Sequence, residues 1–315
     1  MKFVVTGGAG FIGSHLCERL LSEGRHVVCV DNFDPFYARS VKDGNIRGLL
    51  RNKDFALEEV DIRDAQSLER VVSESKPDAI VHLAAKAGVR PSLANPMEYA
   101  QVNINGTLNV LEAARKHGVR KIVFGSSSSV YGSTNKVPFS EEQTLKPISP
   151  YAASKLSGEL YCRMYSSLYG IKIACLRFFT VYGPRGRPDM APYKFTKLID
   201  DGEEIELYGD GTSRRDYTFV SDIVDGIMLS VKKNLDFEVF NLGESRTTAL
   251  KDFVAIIERC LGKKARIKWL PKQMGDVDVT YADISNAKRL LGYNPHVPVE
   301  EGMREFIRWY KGKSG

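Results

Sequence analysis

The sequence predicts an α/β fold, a doubly wound parallel sheet followed by a smaller C-terminal α/β domain, on three observations. Short Val/Ile-rich runs alternate with amphipathic stretches of helical period through the first half of the chain, the rhythm of successive β-α-β units. The first of these runs opens directly into a glycine-rich turn. Near Phe178 the rhythm breaks into the Gly/Pro/Arg-rich loop "TVYGPRGRPDM", which marks the expected boundary. Residues 1–177 form the first domain and 178–315 the second, with part of 217–243 expected to return to the first.

Taken in order, "KFVVT" is the first strand, and "TGGAGFIGSH" follows it with Gly7, Gly10 and Gly13 three apart. Glycines there permit a tight turn and let helix N-terminal N–H groups approach a pyrophosphate, the arrangement of a Rossmann-type sheet. The amphipathic stretch from Gly13 to Glu23 is the first helix. "HVVCVD" is the second strand and ends in Asp31, whose carboxylate suits the two ribose hydroxyls of adenosine and repels a 2′-phosphate, so NAD is expected over NADP. "FALEEVD" leads into "DIRD", where Asp61 and Ile62 reach an adenine edge. "DAIVHLAA", "KIVFGSS" and "KIACLRF" complete the expected strands.

The strand "KIVFGSSSSVYG" ends in four serines, Ser126 to Ser129, about twenty residues before "SPYAASK"; at the C-terminal edge of such a sheet they face the ligand crevice. In "SPYAASK" Tyr151 and Lys155 stand four apart on a helix. With 14 Tyr in 315 residues, about one Tyr-x-x-x-Lys match arises by chance. A second match exists, Tyr193 to Lys197, and it lacks the serine strand, so Tyr151 is the functional candidate and Tyr193 the decoy.

Composition narrows the function classes. A chain with 43% hydrophobic residues buries a sizeable core. The net charge of +6 comes from 45 Lys and Arg interspersed with 39 acidic residues, without a dense basic block carrying interleaved aromatics, which argues against nucleic acid as a partner. The five cysteines form no C-x-x-C pair and several fall in apolar strand or helix patterns, the usage of a reduced protein. Without an 18-residue apolar run, and with a strand directly after Met1, membrane and export readings fall away and a cytoplasmic protein is expected.

Together, the Gly7-x-x-Gly10-x-x-Gly13 loop, "HLAA" at 82 to 85, "SSVYG" at 128 to 132, "SPYAASK" and "RRDYTFVSD" resemble the NAD-dependent nucleotide-sugar epimerases of the extended short-chain dehydrogenase/reductase family, from the glycine loop to about residue 310. The resemblance implies that Tyr151 is the catalytic base, that Lys155 binds the nicotinamide ribose and lowers the tyrosine pKa, and that Ser127 bridges substrate and base. A tyrosine with reference pKa of about 10 needs roughly three units of depression, about 4 kcal/mol, to serve at neutral pH. The resemblance also implies cofactor contacts at Phe11, Ile12, Asn32, Leu83, Ala84, Ala85, Lys86 and Phe178, and makes Asn103 the asparagine that supports the lysine. Arg215 and Asp276 match positions that hold the nucleotide diphosphate and its ribose, with Met274 where some relatives carry Glu. The second domain is then the nucleotide-sugar-binding one, and a homodimer is implied through helices near Ala100 to His117 and Tyr151 to Tyr169.

Within that family, Thr180 in place of Asn, "AGVR" at 87 to 90 with Arg90, and "GDV" at 275 to 277 look like the branch acting on UDP-glucuronate. Ser128, Ser129, Thr180 and Arg187 then hold the sugar carboxylate. Related decarboxylases and dehydratases carry acidic residues beside the catalytic Ser or Thr, and here those neighbours are serines. An epimerase for UDP-glucose or a UDP-N-acetylhexosamine, a nucleotide-sugar reductase, and a non-catalytic NAD-binding scaffold remain as alternatives.

Overall fold

The computed structural model describes residues 1–133, 136–272 and 277–313. The first lobe is built in chain order from β1 (Lys2–Thr6), α1 (Phe11–Ser22), β2 (His26–Val30), α2 (Arg39–Ile46), β3 (Phe55–Glu58), α3 (Ala65–Ser75) and β4 (Ala79–His82). It continues through α4 (Val89–Ala94), α5 (Pro96–Ala100), α6 (Gly106–Lys116), β5 (Lys121–Ser127), α7 (Pro150–Tyr169) and β6 (Lys172–Phe178).

The second half holds β7 (Thr180–Tyr182), α8 (Ala191–Asp200), β8 (Glu204–Tyr208), β9 (Arg214–Arg215), β10 (Tyr217–Phe219), α9 (Val220–Lys232) and β11 (Phe237–Leu242). Beyond it lie β12 (Thr248–Ala249), α10 (Leu250–Leu261), β13 (Arg266–Leu270), α11 (Ser285–Leu291) and α12 (Val299–Lys313).

Seven strands form one sheet in the order β11-β6-β5-β4-β1-β2-β3, with every pairing parallel. Parallel strands need crossovers on both faces, and the pleat divides each strand's side chains between them. On β1, Phe3 and Val5 join Leu16, Cys17 and Leu20 of α1, whereas Val4 joins Leu68, Val71 and Val72 of α3 and Val110 and Leu111 of α6. The strand order reverses at β1, which pairs with β2 on one side and β4 on the other, so a crevice opens above their C-terminal ends.

The chain enters the second lobe after β6 and comes back: β11 pairs with β6 from Phe237 opposite Ile173 to Leu242 opposite Phe178. Three two-stranded pairs, β10 with β7, β12 with β9 and β13 with β8, frame the second lobe. All five cysteines are free thiols, as the sequence led us to expect. No described helix is long and apolar enough to cross a membrane.

Candidate active site

A cleft of about 470 Å³ runs along the C-terminal edge of the sheet. Its floor begins at the glycine loop. Gly7 adopts φ +71, and a Cβ on it would stand 2.8 Å from the Ala84 amide nitrogen; a Cβ on Gly13 would stand 2.1 Å from the Gly7 carbonyl oxygen. Only glycine lets the turn, α1 and the segment that leaves β4 close this tightly. Gly10 caps α1 without a side-chain hydrogen bond, and the first turn carries no acid, so the helix N-terminus offers its N–H groups to an anion.

Asp31 closes β2 with its carboxylate buried, accepting from Ala9 N at 3.1 Å and Phe33 N at 2.9 Å. Lys42 stands 3.3 Å away, equally buried. Asn32 donates to Asp61 at 2.8 Å, and Arg63 grips the same carboxylate at 2.7 Å, which holds its pKa down at about 2. Phe11, Ile12, Ile62, Leu83, Ala84, Ala85, Lys86 and Phe178 also line the cleft. An anion-ready helix end, a carboxylate at the end of β2 and an apolar wall in one groove fit a dinucleotide.

Tyr151 and Lys155 project from α7, whose first turn is set by Ser149, its side chain accepting from Ala152 N at 3.1 Å, and by Pro150, a favoured cap and first residue. Enclosure pushes the Tyr151 phenol above its ordinary pKa, opposed by a hydrogen bond with Ser127 and by the charge of Arg187. Lys155 donates to the Gly125 carbonyl oxygen at 2.7 Å, and burial brings its pKa down to about 8. Arg187 is thus one cation that bears on the phenol.

Beneath the serine strand lies a buried ion pair: Arg177 grips Glu159 at 2.9 and 2.7 Å, and Ser126 donates to the same carboxylate at 2.5 Å. Truncating one partner of such a pair costs about 3–5 kcal/mol, so the strand end carrying Ser127 is firmly held. The Ser127 hydroxyl in turn accepts from Ser129 N at 3.2 Å.

Other expected residues fall differently. Ser128, Ser129, Thr180 and Arg187 share the cleft with Ser127 and Tyr151. Asn103 does not line it: the residue sits in a π turn, Gln101–Asn105, and its amide donates to Lys86 O and Ser154 Oγ, both at 2.9 Å, while accepting from Lys86 N at 2.8 Å. It therefore fixes the Lys86 backbone and, among the described residues, makes no direct bond to the Lys155 ammonium. Lys86 itself is paired with Asp34 at 3.0 Å and Glu98 at 2.8 Å.

Arg90 places its guanidinium over the Tyr208 ring at 5.1 Å, and Arg215 donates to Arg214 O at 2.9 Å; neither is part of the cleft wall. Asp276 and Met274 lie outside the described residues, as do most of "GDV". Tyr193 packs against Phe306 at 5.9 Å and Tyr310 at 5.7 Å, and Lys197 pairs with Asp201 at 2.6 Å, which accounts for the second match as structure. The sequence reading missed Lys42, Tyr37, Phe36 and Asp189, all in the cleft wall; none carries a motif, and each reaches the groove from a loop or from α2.

Comparison with known proteins gives a consistent picture. Residues 4–306 match the sequence profile described as GDP-mannose 4,6 dehydratase. A UDP-glucuronate 4-epimerase of Thermodesulfobacterium geofontis is 42% identical over 98% of this chain and 96% of its own. The crystal structure of UDP-glucuronic acid 4-epimerase from Bacillus cereus in complex with UDP-glucuronic acid and NAD superposes with a TM-score of 0.93 at 36% identity, covering 99% of this chain and 100% of that one. UDP-glucose 4-epimerase of Thermotoga maritima, with UDP-glucose, also gives a TM-score of 0.93, at 35% identity over the whole of both chains.

Proposed function

The chain belongs to the GDP-mannose 4,6 dehydratase family of extended short-chain dehydrogenases/reductases, and from that premise we propose that it is an NAD-dependent UDP-glucuronate 4-epimerase. The observation that carries the sugar assignment is the grouping of Arg187 with Ser128, Ser129 and Thr180 beside Tyr151 in one cleft. A guanidinium and several hydroxyls suit a carboxylate. Bound NAD supplies the acceptor, and then the donor, of the hydride at sugar C4.

The chain's own residues do the rest. Tyr151 takes the proton of the C4 hydroxyl and gives it back, with Ser127 relaying it. Lys155, its charge held against the Gly125 carbonyl, binds ribose hydroxyls and adds a cation one helical turn from the phenol. Asp31 and the glycine loop hold the adenosine and pyrophosphate ends. The 4-keto sugar exposes its other face between departures and returns, and hydroxyls that pin the carboxylate out of line with the ketone preserve it from loss of CO₂. Ser128 and Ser129 next to Ser127 are neutral, so the acid that a dehydratase sets there is missing from these positions.

A homodimer accords with α7, where Leu160, Met164 and Leu168 are 61%, 40% and 64% exposed at successive helical turns, an apolar stripe of the kind that a partner helix covers. Free thiols throughout accord with a cytoplasmic setting. The test is turnover by purified protein without added cofactor, with UDP-glucuronate and UDP-glucose in separate reactions and products resolved by NMR. UDP-galacturonate is expected from the first and little reaction from the second; faster turnover of UDP-glucose would overturn the sugar assignment.

A further inference from the structure

The sugar end of the cleft already holds a carboxylate of its own. Arg187 donates from Nε to Asp189 at 3.0 Å and from Nη2 at 2.6 Å, the two-pronged geometry in which a guanidinium binds any carboxylate. A turn makes the pairing: Met190 N donates to Arg187 O at 3.2 Å, which brings residues 187 and 189 side by side just before α8. The guanidinium is fixed from another side by the Phe36 ring, 5.1 Å away. Both members of the pair line the cleft.

One fork holds one carboxylate in this mode. A sugar carboxylate entering the pocket meets an occupied site, and two carboxylates on a single cation repel each other. Exposure shows which of them can leave. Asp189 is 41% exposed and has water to move into, in contrast with Glu159 in the buried bidentate pair beneath the serine strand, where acid and base are 5% and 3% exposed.

We infer that Asp189 is a built-in competitor for the sugar carboxylate: it occupies the Arg187 fork in the free protein, and a sugar that brings its own carboxylate must take its place. The inference rests on the uronate reading above. A neutral sugar has nothing to put on the fork and leaves the pair closed. The exchange also keeps the local charge constant beside Tyr151, because one carboxylate replaces another on Arg187. The displacement costs some affinity for a uronate and leaves that for a neutral sugar unchanged.

The experiment is calorimetric titration of the purified wild type, Asp189→Asn and Asp189→Ala with UDP-glucuronate and with UDP-glucose. The Kd for UDP-glucuronate is expected to fall about threefold in the Asn variant and further in the Ala variant, the range of a partly exposed ion pair, while the Kd for UDP-glucose stays constant. Weaker binding of UDP-glucuronate in both variants would mean that Asp189 aligns Arg187, and equal tightening of both ligands would mean a general charge effect; either overturns the inference. Failure of the uronate reading would look different. Wild-type protein would then bind UDP-glucose and not UDP-glucuronate, and the inference would fall with it.

Discussion

Tyr151 and Tyr193 share a spacing to lysine and nothing else, and the contrast is testable. Tyr151 faces Ser127 and Arg187 across the cleft, whereas Tyr193 is one ring in an aromatic cluster with Phe306 and Tyr310. Tyr151→Phe is expected to lower turnover about a thousandfold, within the usual reach of a general base, with NAD still bound; Tyr193→Phe is expected to keep turnover within about twofold. Kinetics on the two variants, with the bound cofactor read by absorbance, check both. Glu244 gives a second prediction at this scale. Its Oε2 is buried without a hydrogen bond among the described residues, and burial together with Asp222 pushes its pKa up to about 7. As pH rises past the ordinary carboxylate range the unfolded chain ionises first, so this residue's contribution falls until the folded form ionises near pH 7. Glu244→Gln should therefore raise stability by about 2 kcal/mol at pH 8 and leave it unaltered at pH 4, as read from urea midpoints at the two pH values. The glycine loop, Asp31 and Tyr151 were legible in sequence because each depends on spacing within one strand-turn-helix unit. Lys42 and Asp189 were not, because a lysine on α2 and an aspartate in a loop become site residues only when a turn or a helix carries them to the groove.

At the scale of elements, α7 serves two surfaces at once. Its inner face sets Tyr151, Lys155 and Glu159 at successive turns against the sheet, and its outer face exposes Leu160, Met164 and Leu168. Replacing Leu160 and Leu168 together by Glu should halve the mass measured by light scattering, since two charges in a dimer seam are buried without partners; an unaltered mass would remove α7 from the interface. The sequence outlined α6 and α7 but left a dimer seam indistinguishable from an internal core, because both are apolar at helical period. Burial separates them: Val110, Leu111 and Ala114 on α6 are enclosed within the subunit. The π turn at Gln101–Asn105 was beyond reach for another reason. Its register is tied to the Asn103 bonds to Lys86, seventeen residues away, and no local propensity encodes them.

Across the whole molecule, the alternation of strands and helices sufficed to foresee the parallel sheet, and the sequence bounded the return of the chain only to part of 217–243. β11 arrives at the sheet only after α8, β8, β9, β10 and α9, and it covers the edge of β6 along its length. A fragment ending at residue 178 would leave that seven-residue strand with one unpaired edge rich in Ile, Ala and Leu, an invitation to aggregation. Residues 1–178 alone should be insoluble or self-associated, and the fragment 1–243 should fare no better while the second lobe's partners for β8 and β9 are missing; a dispersed NMR spectrum from a monomeric 1–178 fragment that binds NAD would show the first lobe to be autonomous. On the ribosome the same crossing imposes a timetable. Most of the nucleotide-facing half is synthesised early, yet its last strand emerges after much of the other half has left the exit tunnel. The nascent chain therefore spends that interval with a bare strand edge, and chaperone occupancy should be greatest between the emergence of β6 and that of β11.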